Sequence, residues 1–69
     1  MSDEFLDALQ LREIINHSVG RLPERMREIF LLRNEQNYSY REIAEKLKIT
    51  EKTVENQMGL AKVLLSLLI

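Results

Sequence analysis

Lys52, Thr53, Glu55 and Asn56 follow directly on Thr50, a residue able to cap a helix. On a helix, those spacings set four polar groups on its exposed first turns. Their chemistry is recognition rather than bond-making. A carboxamide such as Asn56 presents a donor beside an acceptor and can pair bidentately with adenine, while Glu55 can accept from cytosine. Lys52 can neutralise a phosphate. Nothing else in the chain assembles into a reactive set. His17 is the one histidine and there is no cysteine, so no second histidine or thiol exists to complete a metal site, and no serine or carboxylate is placed to form a catalytic set. His17 reads as a helix-end residue. The expectation is a protein that is not an enzyme and that uses no metal and no cofactor.

The elements that must position these side chains are legible around them. Ser39-Tyr40-Arg41-Glu42 has the form of a capping box, in which hydroxyl and carboxylate each satisfy a free backbone N–H. It opens a short helix, with Ile43, Ala44 and Leu47 pointing inward, that stops near Lys48. Ala44 is small where two helices approach closely. Ile49 in the turn and Val54 in the next helix plug the angle between them. Thr50 then caps a last helix running from Glu51 towards the C-terminus, with Val54, Met58, Ala61, Leu65 and Leu68 as its inward seam. Residues from about 39 to 62 thus read as a helix-turn-helix.

Two further helices precede it. The first is expected from about Asp3 to His17 or Val19, capped by Ser2 or Asp3, with Phe5, Ala8, Leu9, Ile15, Val19 and Leu22 on one face and Gly20 as its stop. Leu6 and Ile14 fall off that face. Pro23 opens the second helix, which buries Met26, Ile29, Phe30 and Leu32, leaves Arg25 and Arg33 to solvent, and ends in the turn-prone stretch Asn34-Glu35-Gln36-Asn37. Met26 and Met58 read as packing residues. Two glycines, one proline and no sustained alternation leave no room for strands. The fold expectation is therefore all-α: a single four-helix domain over residues 1–69 with a C-terminal helix-turn-helix.

Sixty-nine residues give one modest core. Lack of cysteine suits a reducing cytoplasm, and neither a signal segment nor a membrane span is visible. The net charge is −1, split unevenly. Residues 1–20 carry four acids against Arg12, a net of −3, whereas residues 21–69 carry nine Lys/Arg against seven Glu, a net of +2. The basic excess sits with the helix-turn-helix but is slight, so weak DNA binding by the domain alone is expected.

Residues 22–58 resemble region 4 of bacterial RNA polymerase sigma factors of the extracytoplasmic-function (ECF) group. Leu22-Pro23, Ser39-Tyr40, Glu42-Ile43-Ala44 and Thr53-Val54-Glu55-Asn56-Gln57 carry the match. The resemblance implies a four-helix domain that reads the promoter −35 element and packs on the flap of the polymerase β subunit. It places DNA-contacting positions at Lys52, Thr53, Glu55, Asn56, Gly59, Leu60 and Lys62, with Tyr40 and Arg41 near the DNA backbone. The chain departs from that pattern in three places. Lys48 stands where the turn usually holds glycine, and a left-handed Lys there costs roughly 1 kcal/mol. Gly59-Leu60 replaces a Ser-Arg or similar basic pair. The C-terminal end reads VLLSLLI instead of being rich in Lys and Arg. A complete sigma factor also needs region 2, so the chain is expected to be a fragment of a longer one.

Leu60, Leu64 and Leu67 form a second apolar stripe on the last helix, beyond what so small a domain can cover. They are expected to meet a partner: a twin chain in a homodimer through this helix, the polymerase flap, or an anti-sigma factor. The competing expectation is that the helix folds back over Leu6 and Ile14. Two other functional readings share the fold. A response-regulator type of helix-turn-helix shares the Glu-Ile-Ala and Thr-Val pattern, although Leu22-Pro23 and Ser39-Tyr40 argue against it. A protein-interaction module that kept the fold and lost DNA affinity would suit Leu60 and the apolar tail.

Overall fold

The computed structural model of the protein describes residues 3–68, apart from the side chains of Asp3 and Phe5. Four helices follow in order: α1 (Asp3–Gly20), α2 (Glu24–Asn34), α3 (Tyr40–Leu47) and α4 (Glu51–Leu68). No strand forms among the described residues, as the periodicity requires. The expected Ser2 cap and the inward Phe5 lie outside the described residues and side chains.

Each connection has a local cause. Gly20 is the last residue of α1, but it does not adopt the left-handed conformation of a glycine stop; no described glycine has positive φ. Instead, the Arg21 and Leu22 N–H groups close short turns onto the Ser18 and Val19 carbonyls at 3.0 and 3.1 Å. Pro23, at φ −52°, leads into α2, and its carbonyl accepts from the Arg27 N–H at 2.8 Å. α2 ends through Asn37 at φ 58°, a conformation that Asn tolerates better than most residues. The turn brings the Tyr38 N–H onto the Leu32 carbonyl at 3.0 Å.

Burial divides into two adjoining clusters. Ile29, Leu32, Ile43, Ala44, Val54 and Met58 form the interior of the helix-turn-helix, with Ile49 and Leu47 packed at its margin. Val19, Leu22, Met26, Ala61 and Leu65 form the second, where α1 meets α2 and α4. Phe30, expected to be buried, is half-buried and touches both clusters. α4 runs through both, so one helix carries the whole domain. Ile29, Ile43 and Val54 are fully buried. At about 25 cal/mol per Å² of apolar surface, each contributes roughly 1.5–3 kcal/mol relative to exposure.

The expected inward face of α1 is only partly realised. Val19 and Leu22 are buried, but Ala8, Leu9 and Ile15 are exposed. So are Leu6 and Ile14, which rules out the fold-back of α4 over them. The reason is reach. α4 ends beside Gln10, Glu13, Ile14, His17 and Ser18, where Leu68 lines an open groove, and among the described residues nothing extends further along α1. Ser18 is buried there, its hydroxyl donating to the Ile14 carbonyl at 2.9 Å. The molecule is accordingly elongated, 46 × 22 × 15 Å.

Candidate nucleic-acid interface

The capping box forms as the sequence demands. The Ser39 hydroxyl accepts from the Glu42 N–H at 3.0 Å, and the Glu42 carboxylate accepts from the Ser39 N–H at 2.9 Å. That backbone N–H, followed by the Ser39 hydroxyl, holds the Glu42 carboxyl below its ordinary pKa. α3 then runs for two turns and stops at Lys48, which takes the left-handed conformation at φ 58° and ψ 46°. The Lys48 N–H bonds the Ala44 carbonyl, and the Ile49 N–H reaches the same oxygen at 3.0 Å. This double closure turns the chain sharply enough for Ile49 to pack beside Ala44. The residue expected to be strained is strained.

Thr50 caps α4. Its Oγ1 accepts from the Thr53 N–H at 3.0 Å and lies 2.9 Å from the Thr53 hydroxyl. Thr53 is thus partly committed to holding the helix start, while remaining exposed. Val54, Met58, Ala61 and Leu65 face inward, so at 100° per residue the opposite side of the helix bears Lys52, Asn56, Gly59, Leu60, Val63 and Leu67. Glu55 and Lys62 flank it, and all eight are exposed. Glu55, Asn56, Gly59, Leu60 and Val63 line a single shallow groove. The helix therefore exposes one face that is polar in its first half and apolar in its second.

The apolar half corrects one expectation. Leu64 is half-buried against the second cluster, and Leu68 is half-buried beside α1. The exposed stripe is Leu60, Val63 and Leu67. Val63 takes the place on it that residue type alone would give to Leu64. Its spacings of three from Leu60 and four from Leu67 were the signal available in the sequence. Gly59, midway, has no packing reason to be glycine: a Cβ there would meet nothing within 4 Å.

Tyr40 and Arg41 sit on the first turn of α3, which packs against α4. Tyr40 is half-buried, with the Arg33 guanidinium 5.8 Å above its ring centre. Arg33 is exposed as expected, yet it also donates to the Tyr38 carbonyl at 3.2 Å, tying α2 to the start of α3. Lys46 lies over the Tyr38 ring at 5.9 Å. Both pairings join segments whose mutual placement the spacing of the sequence does not define. Arg41 pairs with Glu45 at 3.3 Å, with both side chains largely exposed. Such a pair is worth about 0–1 kcal/mol and would yield readily to a phosphate.

Among the described residues no group of three or more His, Cys, Asp or Glu could hold a metal ion, and no helix is long and apolar enough to cross a membrane. The arrangement offers an exposed surface for docking. No match was found among curated proteins or among solved structures. The family model described as Sigma-70, region 4 does match, over residues 12–65. That span covers α2, α3, all three connections, most of α4 and the buried end of α1. With a capped helix-turn-helix inside the matched span, the chain belongs to the sigma-70 region 4 family, DNA-binding modules of transcription initiation.

Proposed function

We propose that the domain reads the −35 element of a promoter through the first half of α4 and docks on the RNA polymerase β flap, in the manner of the ECF group in the cytoplasm. The observation that carries this reading is the outward placement of Lys52, Glu55 and Asn56 on a helix whose inner side is fully packed. Asn56 and Glu55 supply base-edge donors and acceptors. Lys52, Lys62 and Arg41 supply phosphate contacts, and Tyr40 adjoins Arg41 on the first turn of α3. Gly59 lets the DNA backbone approach the helix closely, and Leu60 offers an apolar contact beside it.

Affinity from these groups alone is modest. Three phosphate contacts give a salt slope of about −2.7, well below that of strongly basic DNA-binding proteins. Flap docking then supplies the remaining affinity through local concentration. The test is titration of promoter duplex and of isolated flap at two salt concentrations. Weak, salt-sensitive duplex binding that Asn56→Ala relaxes in sequence preference supports the reading. Duplex binding without any salt slope overturns it.

A second reading is favoured by the exposure of Leu60, Val63 and Leu67. In it the same face serves an anti-sigma factor or another protein, and DNA affinity is residual. Flap or protein binding with no duplex binding at low salt would select it.

A further inference from the structure

Arg41 and Glu45 hold each other on the outer side of α3. The Arg41 Nε lies 3.3 Å from the Glu45 Oε1, and the two side chains are 79 and 68% exposed. With Ile43, Ala44 and Leu47 packed inward, the outer side of this helix carries the charged residues Arg41, Glu42, Glu45 and Lys46. The Glu42 carboxylate is committed to the Ser39 N–H at 2.9 Å, and the Lys46 ammonium lies over the Tyr38 ring. Arg41 and Glu45 are left to each other.

Helix stability does not account for this pair. Arg41 stands in the first turn of α3, at the positive end of the helix dipole, and Glu45 in its last turn, at the negative end. Acid before base is the favourable order at this spacing, and here the order is reversed. A pair so exposed adds little to the fold in any case. What it changes is the availability of Arg41, whose forked donors suit a carboxylate and a phosphate equally well. Whether the guanidinium releases the carboxylate or bridges it to a phosphate, a negative charge ends beside the phosphate and opposes the contact.

We infer that Glu45 is an affinity-limiting residue: it competes with the DNA phosphate backbone for Arg41 and weakens duplex binding without reading any base. Arg41 meets the DNA backbone in the function proposed above, and the role of Glu45 rests on that reading. Charge is scarce enough for the limit to matter, since residues 21–69 carry a net of only +2. Phosphate contacts carry no sequence information, so the restraint falls equally on promoter and on other DNA. A domain so restrained stays on DNA only where a second contact adds to its hold.

Glu45→Gln removes the charge and keeps the size. In titrations of the full chain with a promoter duplex and a scrambled duplex at low salt, the variant is expected to bind both about three- to fivefold more tightly. Its salt slope is expected to steepen by up to about 0.9, the share of one phosphate contact. Circular dichroism and Tm are expected to match the parent. In an Arg41→Ala background the same substitution is expected to lose most of its effect. Glu28→Gln, which removes the partner of Arg25 on α2, is expected to leave binding unchanged. An equal gain without Arg41, or from Glu28→Gln, marks general charge repulsion and overturns the inference. A gain confined to the promoter duplex overturns it as well, because a phosphate contact cannot tell the two duplexes apart. Weaker binding by Glu45→Gln shows that the carboxylate positions Arg41 for DNA, which also overturns it. Parent binding that Glu45→Gln leaves unchanged overturns the inference alone. No duplex binding by parent or variant overturns it together with the promoter reading.

Discussion

Replacing Lys48 by glycine isolates the energy stored in the turn between α3 and α4. Lys48 sits at φ 58°, where its Cβ crowds the following carbonyl. An L-residue with a Cβ loses about 1–2 kcal/mol there, and glycine does not. Glycine also gains freedom in the unfolded chain, which returns about 0.4–1 kcal/mol. The net expectation for Lys48→Gly is a gain of about 0.5–1 kcal/mol. In a domain of this size each kcal/mol moves Tm by about 4–8 °C, so the melt shifts up by about 2–8 °C. Thermal and urea unfolding read by far-UV circular dichroism measure it, with the urea slope unchanged. Lys48→Ala is the control, because it keeps the Cβ and removes the charge, and it is expected to melt near the parent. If Lys48→Ala gains as much as Lys48→Gly, the cost lies in the ammonium and not in the backbone. If Lys48→Gly loses stability, the turn is unstrained and the argument fails.

Three other outcomes are expected. Gly59→Ala raises stability by about 0.5–1 kcal/mol, since a helical glycine costs that much and the new methyl meets nothing; in the same samples duplex affinity falls, and unchanged affinity would count against close backbone approach at this position. Because Glu42 has a lower pKa in the folded state than its ordinary 4.5, its stabilisation is complete above that value and is lost as pH falls through the folded one; urea midpoints from pH 7 to 3 should drop less steeply for Glu42→Gln. Ile29→Ala, at a fully buried position, should cost about 2–5 kcal/mol, enough for calorimetry to show a partly unfolded domain at 37 °C.

The helix-turn-helix was legible because its signals are local. Ser39 with Glu42, Lys48 at the stop, and Thr50 before Glu51 each act within a turn of themselves, and the structure realises all three. The inner seam of α4 was legible for the same reason, apart from Leu68, which is half-buried at its end. α1 was not. Its periodicity names the face that would be buried, but nothing in the spacing of Ala8, Leu9 and Ile15 says whether other chain exists to bury it. The outer stripe was half legible: Leu60 and Leu67 are on it, while Leu64 lies on the flank and Val63 takes its place. Residue type favours the leucines, but helical register decides which side chains share the face. The bridges from Arg33 to Tyr40 and from Lys46 to Tyr38 join elements whose mutual placement only the folded chain defines.

α4 serves both clusters as one unbroken rod, with Val54 and Met58 in the first and Ala61 and Leu65 in the second. The rod locks the phase of one half to the other. A single residue inserted between Met58 and Ala61 would turn everything after it by about 100°, swinging Ala61 and Leu65 out of their cluster. An insertion of seven would turn it by only about 20° and merely lengthen the helix. Drift in the length of this helix is thus confined to steps near a heptad. Point changes on its outer face carry no such restriction, so the surface offered to DNA or to a partner can diversify while the helix length cannot.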